Sequence, residues 1–273
     1  MSCFIFGVTN LPECPVEKNN REKFPRGLSQ PETGFRFSVD SLLLSCFISP
    51  AQENKVVDIG CGCGVIGLGL ILANPQKDIH VTGLDNCPDM INHSHKNTAL
   101  LKLSTRFTPL EMDVCKVNSK SFQAETFDLA VANPPYRIPE SGRAPQDISR
   151  FKASFCDHAE LDLFFKAAAF LLKNKGKCGI IFRAERLDNL LEKMKRHSLT
   201  PKRILPVYGK LAKPAGLVMV EGVKNARPGL KMMSPLILYD KYNQFTSQAL
   251  EFCSFLGCNP SRGLAVPRGS AFS

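Results

Sequence analysis

The 273-residue chain has no apolar run near the roughly 18 residues that a membrane-crossing helix requires. Its opening stretch, MSCFIFGVTNLPECP, has neither a basic head nor a small-residue cleavage site, so the expectation is a cytoplasmic protein that does not engage membrane. There is no Cys-x-x-Cys pair, although the cysteines number 11, at 3, 14, 46, 61, 63, 87, 115, 156, 178, 253 and 258. An odd number without paired spacing argues against a disulfide framework and against a zinc site, so free thiols and no metal are expected. The close pair, Cys61-Gly62-Cys63, reads as loop filling. No internal repeat is present. Acids are scarce in one segment: from Lys173 to Lys231 there are 15 Lys and Arg against Glu185, Asp188, Glu192 and Glu221, a local charge of +11 in a chain of +10. Such a basic half suits a polyanionic partner, and a solvated face with no partner is the plain alternative.

With 44% hydrophobic residues there is ample material for a packed core. Residues 1–34 are polar, basic and dotted with proline, and are expected to form a loosely held arm before a domain spanning 35–258. A flexible tail, 259–273, has loop composition. FRFSVDSLLLSCF turns apolar at helical spacing through Leu42, Leu43, Cys46 and Phe47, predicting a short helix entered near Ser38 or Asp40. From Lys55 onward strands and helices alternate. KVVDIG, IHVTGLD, FTPLEMD, FDLAVAN and KCGIIFR read as strands; VIGLGLILA, the stretch after Cys87, and HAELDLFFKAAAFLLKNKG read as helices, the last closed by Gly176. After a helix near 185–197, KRILPVYG and GLVMVEGVK read as an antiparallel pair. The alternation predicts an α/β, Rossmann-like fold: a seven-stranded, mostly parallel sheet with helices on both faces and a terminal antiparallel strand pair.

Two patterns overlap in VVDIGCGCGVIG: Asp58-x-Gly60-x-Gly62-x-Gly64, and Gly62-x-Gly64-x-x-Gly67. The second is a dinucleotide fingerprint, with Asp85 standing 18 residues beyond Gly67 as a ribose-binding acid. A nicotinamide enzyme must therefore be weighed. Asp58, two residues before the first glycine, would repel a pyrophosphate laid over this turn. It would attract the ammonium of S-adenosylmethionine. Asp85 would then accept both ribose hydroxyls, and Asp113 would reach the adenine amino group unless it serves as a helix cap.

ANPPYRIP follows the FDLAV strand, at the tip where open α/β sheets bind ligands. An exocyclic amine such as adenine N6 is a poor nucleophile because its lone pair is delocalised. The Asn133 side-chain oxygen and the Pro134 carbonyl can hold the two amino hydrogens and favour the growing positive charge. Pro134 and Pro135 keep the turn stiff and its carbonyls free. Tyr136 offers a face for a planar base.

These motifs together resemble class I S-adenosylmethionine-dependent methyltransferases, and among them the tRNA adenine-N6 methyltransferases that modify the adenine next to the anticodon of a valine tRNA. DIGCGCG, GLD and NPPY carry the general likeness; FRFSVDSLLLSCF, SRFKASFCDHAELDLFFKAAAFLL and LILYDKYNQFTSQALEF carry the narrower one, over about 35–256. The resemblance implies S-adenosyl-L-methionine as cofactor, RNA and most specifically tRNA as partner, and a place for Asp40 in closing the cofactor and base site. GRAPQDISRFK would be a substrate loop, with Arg143, Arg150 and Lys152 as phosphate contacts. FCDHAE departs from a more compact His-Glu pattern, so His158 and Glu160 read as an ordinary helix start. Lys195, Arg196, Lys202 and Arg203 are further candidates for RNA contact. Related enzymes act on ribosomal RNA, DNA or a protein glutamine, and an RNA-binding module with lost or secondary catalysis is the alternative from another class.

Overall fold

A computed structural model describes residues 22–32, 36–134 and 158–258. The first helix among the described residues, α1 (Val39–Phe47), leaves an extended Ser38 and leads into strand β1 (Glu53–Ile59). Then come α2 (Val65–Ala73), β2 (Asp78–Asp85), α3 (Pro88–Leu100) and β3 (Phe107–Glu111). β4 (Phe127–Ala132) precedes α4 (His158–Leu171), β5 (Leu172–Arg183), α5 (Leu187–Arg196), β6 (Leu199–Tyr208) and β7 (Ala215–Lys224). Two-residue strands β8 (Lys231–Met232) and β9 (Leu236–Ile237), and helix α6 (Ser247–Phe252), complete the described chain.

All strands join one sheet in the order β3-β2-β1-β4-β5-β7-β6, with β8 and β9 both paired to β6. The seven expected strands are there, and β8 and β9 lengthen the edge. β3, β2, β1, β4 and β5 run parallel; β7 is antiparallel to both β5 and β6. Apolar cores lie on both faces of the sheet. One gathers α1, α2 and the segment after β9; the other gathers α4 and α5. α2 is apolar all round because it is covered all round: eight of its nine residues, Val65 to Leu72, are buried.

Gly176 does not close α4. The helix ends at Leu171 and β5 begins at once, because Leu172 already pairs with Phe127. Lys173–Gly176 then bulges opposite Asp128 before Lys177 pairs with Leu129, and Lys175, at φ 64°, makes the turn. The described part of the expected arm, residues 22–32, lies against the domain. Phe24 is fully buried and meets Phe255 edge-on at 4.7 Å between ring centres. Hydrophobic burial and one polar latch hold it: Ser29 N donates to Asn97 Oδ1 at 2.6 Å, and Asn97 Nδ2 returns a bond to Ser29 O at 2.9 Å.

Candidate active site

Where β1 ends, Gly60 N and Cys61 N both donate to Leu84 O, at 2.7 and 2.9 Å, folding the glycine turn onto the tip of β2. Gly60, Gly62 and Gly64 have φ of 72°, 55° and 86°, a left-handed region that costs a side-chain-bearing residue roughly 1 kcal/mol or more. Their surroundings differ. A Cβ at Gly60 or Gly62 would meet nothing within 4 Å, so these two face open space, as a turn that a ligand approaches closely must. At Gly64 it would strike Ser94 Oγ at 2.7 Å, and at Gly67 the Phe107 ring at 2.3 Å. Those two glycines serve packing.

Two carboxylates secure the turn from below. Asp85 accepts Gly62 N at 2.8 Å on Oδ2 and Cys87 N at 2.9 Å on Oδ1; burial raises its pKa, and these backbone bonds oppose the rise. Asp58 is fully buried and accepts Gly67 N at 3.0 Å, while its Oδ1 is buried without a partner among the described residues. Burial pushes the Asp58 pKa from 3.8 up to about 7; the Gly67 bond resists and the nearby Asp85 charge adds to the rise. Asp58 therefore sits beneath the turn and fastens it to α2, with one acceptor left over.

Asn133 follows β4, two positions past Val131, which pairs with Asp58. Its Nδ2 donates to Ser41 Oγ of α1 at 3.0 Å, and its Oδ1 is buried with no partner among the described residues. Asn133, Ser41, Gly60, Cys61, Gly62 and Cys63 line one cleft with Phe37, Val65, Ile66 and Met90, enclosing about 340 Å³ with its open mouth included. No motif marks Phe37 or Met90. Ser41 stands beside the nominated Asp40, and it is Ser41 that lines the cleft. Asp40 is buried in the first turn of α1, close enough to Tyr239 that, after burial, its charge also raises the phenol pKa.

Asp113 takes the capping role: its Oδ1 accepts Cys115 N at 2.9 Å and starts a 3-10 turn over Val114–Lys116. It remains near the cleft, since Met112 N donates to Asp85 O at 2.8 Å. Pro134 is half-buried at the β4 tip. Pro135, Tyr136, Arg143, Arg150 and Lys152 lie outside the described residues, as do the side chains of His158 and Glu160, whose backbone begins α4.

The four remaining basic candidates do not gather at the cleft. β6 runs parallel to β5, so its first residues lie at the amino ends of the strands, opposite the carboxyl tips that carry Gly60, Asp85 and Asn133. Lys195 and Arg196 precede β6 and Lys202 is near its start, so ten residues of strand at about 3.3 Å each separate this end from the tips. Arg196 pairs with Glu192 at 2.8 Å, and Lys202 Nζ donates to Arg227 O at 2.8 Å. Arg203 turns inward. It holds the buried Glu221 through Nε at 3.2 Å and Nη2 at 3.1 Å, and lies over the Phe47 ring.

The parallel strands thus bring an acid before the glycine turn, an acid ending β2 and an amide oxygen after β4 to one end of the sheet. The model of the methyltransferase small domain family matches residues 38–196, more than half of the chain. The chain belongs to that family. This methyltransferase is 22% identical over 219 residues to a Haemophilus influenzae protein named tRNA1(Val) (adenine(37)-N6)-methyltransferase, covering 80% of this chain and 90% of the relative. It is 25% identical over 207 residues to a protein of the same name from Trichodesmium erythraeum, covering 74% and 82%. Among solved structures, one described as a predicted O-methyltransferase from Agrobacterium tumefaciens superposes with TM-score 0.64 at 17% identity, covering 79% of this chain and 96% of the other, which shows the shared fold.

The protein is an S-adenosyl-L-methionine-dependent methyltransferase, and the nicotinamide alternative is set aside. The residues fit this cofactor: Gly60 and Gly62 leave space, and among the described residues Asp58 Oδ1 and Asn133 Oδ1 are acceptors without partners. Among the described residues no helix is long and apolar enough to cross a membrane.

Proposed function

We propose that this methyltransferase modifies the N6 amino group of an adenine in tRNA, next to the anticodon. One observation carries the reading: Asn133 Oδ1, at the carboxyl tip of β4 and in the wall of the cofactor cleft, is a buried acceptor with no donor among the described residues. A buried, unpaired carbonyl costs about 1–3 kcal/mol, so it is kept where a ligand hydrogen completes it. An amino group with two hydrogens suits it. The tRNA activity in the relatives' names supports the choice of substrate, as does the basic composition of the chain.

S-adenosyl-L-methionine, when bound, supplies a methyl group on a positively charged sulfur. In this reading Asp85 accepts its ribose hydroxyls, Asp58 Oδ1 favours its ammonium, and Asp113 lies near the adenine end. Ser41 holds the Asn133 amide so that Oδ1 faces the incoming amine. Asn133 Oδ1 and the Pro134 carbonyl take the two amino hydrogens and stabilise the charge that develops on nitrogen as it is alkylated. The nitrogen gains the methyl carbon as that carbon's bond to sulfur breaks, the electron pair staying on sulfur, and the nitrogen then releases one proton to water. Pro135 stiffens the turn and Tyr136 stacks on the base. Asp40 supports the wall through Ser41. Arg143, Arg150 and Lys152 belong to the substrate loop. A tRNA substrate implies work in the cytoplasm.

The test is transfer of labelled methyl to unmodified tRNA, ribosomal RNA, DNA and protein in parallel, followed by nucleoside analysis. Label is expected in tRNA as N6-methyladenosine. Label confined to another pool, or to another atom, contradicts the substrate; RNA binding without any transfer supports a binding module instead.

A further inference from the structure

We propose that the β6–β7 turn and the turn that follows β9 form one rim that grips single-stranded RNA beside the target base. This deepens the tRNA reading above and depends on it. The two turns are joined: Leu238 N donates to Tyr208 O and Tyr239 N to Gly209 O, both at 2.9 Å. They lie at the carboxyl ends of the strands, because Tyr208 pairs with Ala215 at the same end of the sheet as Arg183 and Leu217. A short path leads to the catalytic amide. Tyr239 is within electrostatic reach of Asp40, and the adjacent Ser41 receives the Asn133 amide at 3.0 Å.

The rim carries Lys210, Lys213 and Lys241, and among the described residues none of these ammonium groups has an acidic partner. Three cations at the amino ends are paired with acids: Lys173 with Asp128 at 2.6 Å, Lys224 with Glu125 at 2.9 Å and Arg196 with Glu192 at 2.8 Å. Interleaved with the free lysines are two large apolar groups in solvent, Leu211 at 71% exposure and Tyr242 at 69%. Lys241 Nζ sits 4.9 Å from the centre of the Tyr242 ring. The tip is held in shape. Asp240 Oδ1 accepts Tyr242 N at 2.8 Å and Gln244 N at 2.9 Å, Tyr239 stacks on Phe245, and Asn243 supplies the left-handed residue at φ 62°. Unpaired cations flanking an exposed aromatic face match a strand that offers phosphates and unstacked bases together.

The test is binding of an unmodified tRNA pool and of a blunt RNA duplex across a salt series, with the rise in melting temperature on adding S-adenosyl-L-methionine as the check on folding. Triple reversal of Lys210, Lys213 and Lys241 to Glu should lower the salt slope for tRNA by about two, given roughly 0.7 per phosphate contact on single strands. Tyr242→Ala should weaken tRNA binding about ten-fold and leave the duplex unchanged, as expected where one base stacks. Lys195→Glu with Lys202→Glu, at the far end of the sheet, should leave the slope as it was. Wild-type-like tRNA binding in the rim variants, or loss in the far-end variant, overturns the rim while the tRNA reading stands. No tRNA binding by the wild type overturns both.

Discussion

Asp58 has one carboxylate oxygen engaged and one buried and idle, and that imbalance has a pH signature. Its folded pKa of about 7 lies above the ordinary 3.8, so the unliganded folded state holds a proton that the unfolded state releases. The stability this group contributes is therefore full below about pH 4 and is lost as pH rises towards 7. Cofactor binding should show the opposite slope, because an ammonium nearby favours the ionised form. Affinity for S-adenosyl-L-methionine is expected to rise between pH 6 and 8 with release of a proton, measurable by calorimetry in buffers of different ionisation enthalpy. An affinity that is flat with pH, with no buffer dependence, would rule out Asp58 as a partner of the ammonium. Among single residues, the strand-end positions of Asp58, Asp85 and Asn133 were legible because each closes or follows an apolar run in a fixed order. Asp113 was ambiguous because one side chain at such a tip can serve either a ligand or a cap. Arg203 was misleading: a cation's partner across a strand pair, Glu221 18 residues on, is a matter of register that composition does not reveal.

At the scale of elements, the turn between β1 and α2 depends on close approach as much as on glycine's freedom. Gly67, in the second turn-forming pattern, allows α2 to lie directly on the Phe107 and Val81 side chains. Gly67→Ala puts a methyl group into that contact and should destabilise the protein by about 1–3 kcal/mol, seen as a lower midpoint in urea with an unchanged slope. A variant as stable as the wild type would mean that β3 yields easily. The strands and most helices were legible from apolar runs and their spacing; α2 begins and ends where VIGLGLILA does. The α4–β5 junction was not. A glycine after an amphipathic helix usually marks its end, yet here sheet pairing begins at Leu172 and moves the turn into a bulge. Contacts across the chain were also out of reach, among them Ser41 with Asn133, 92 residues apart, and Phe24 with Phe255.

Across the whole molecule, the order of the strands decides which residues can act together. All parallel strands send their carboxyl ends to one edge, so the glycine turn, Asp85 and Asn133 meet there although the chain separates them widely. The same topology sets Lys210, Lys213 and Lys241, which have no acidic partner among the described residues, at the opposite end of the sheet from the paired Lys173, Lys224 and Arg196. Net charge alone pointed to a polyanion but not to a surface. The N-terminal segment also belongs to this assembly: Asn97 Nδ2 donates to Ser29 O and to Cys63 O, both at 2.9 Å, linking residues 24–29 to the glycine turn. In the proposed reaction Asn133 presents its oxygen to an amine already beside a bound cofactor. This is tested by single-turnover methyl transfer to unmodified tRNA by Asn133→Ala, alongside its affinity for S-adenosyl-L-methionine. The rate should fall by about a hundred-fold or more with cofactor affinity nearly unchanged. A rate close to wild type would contradict it.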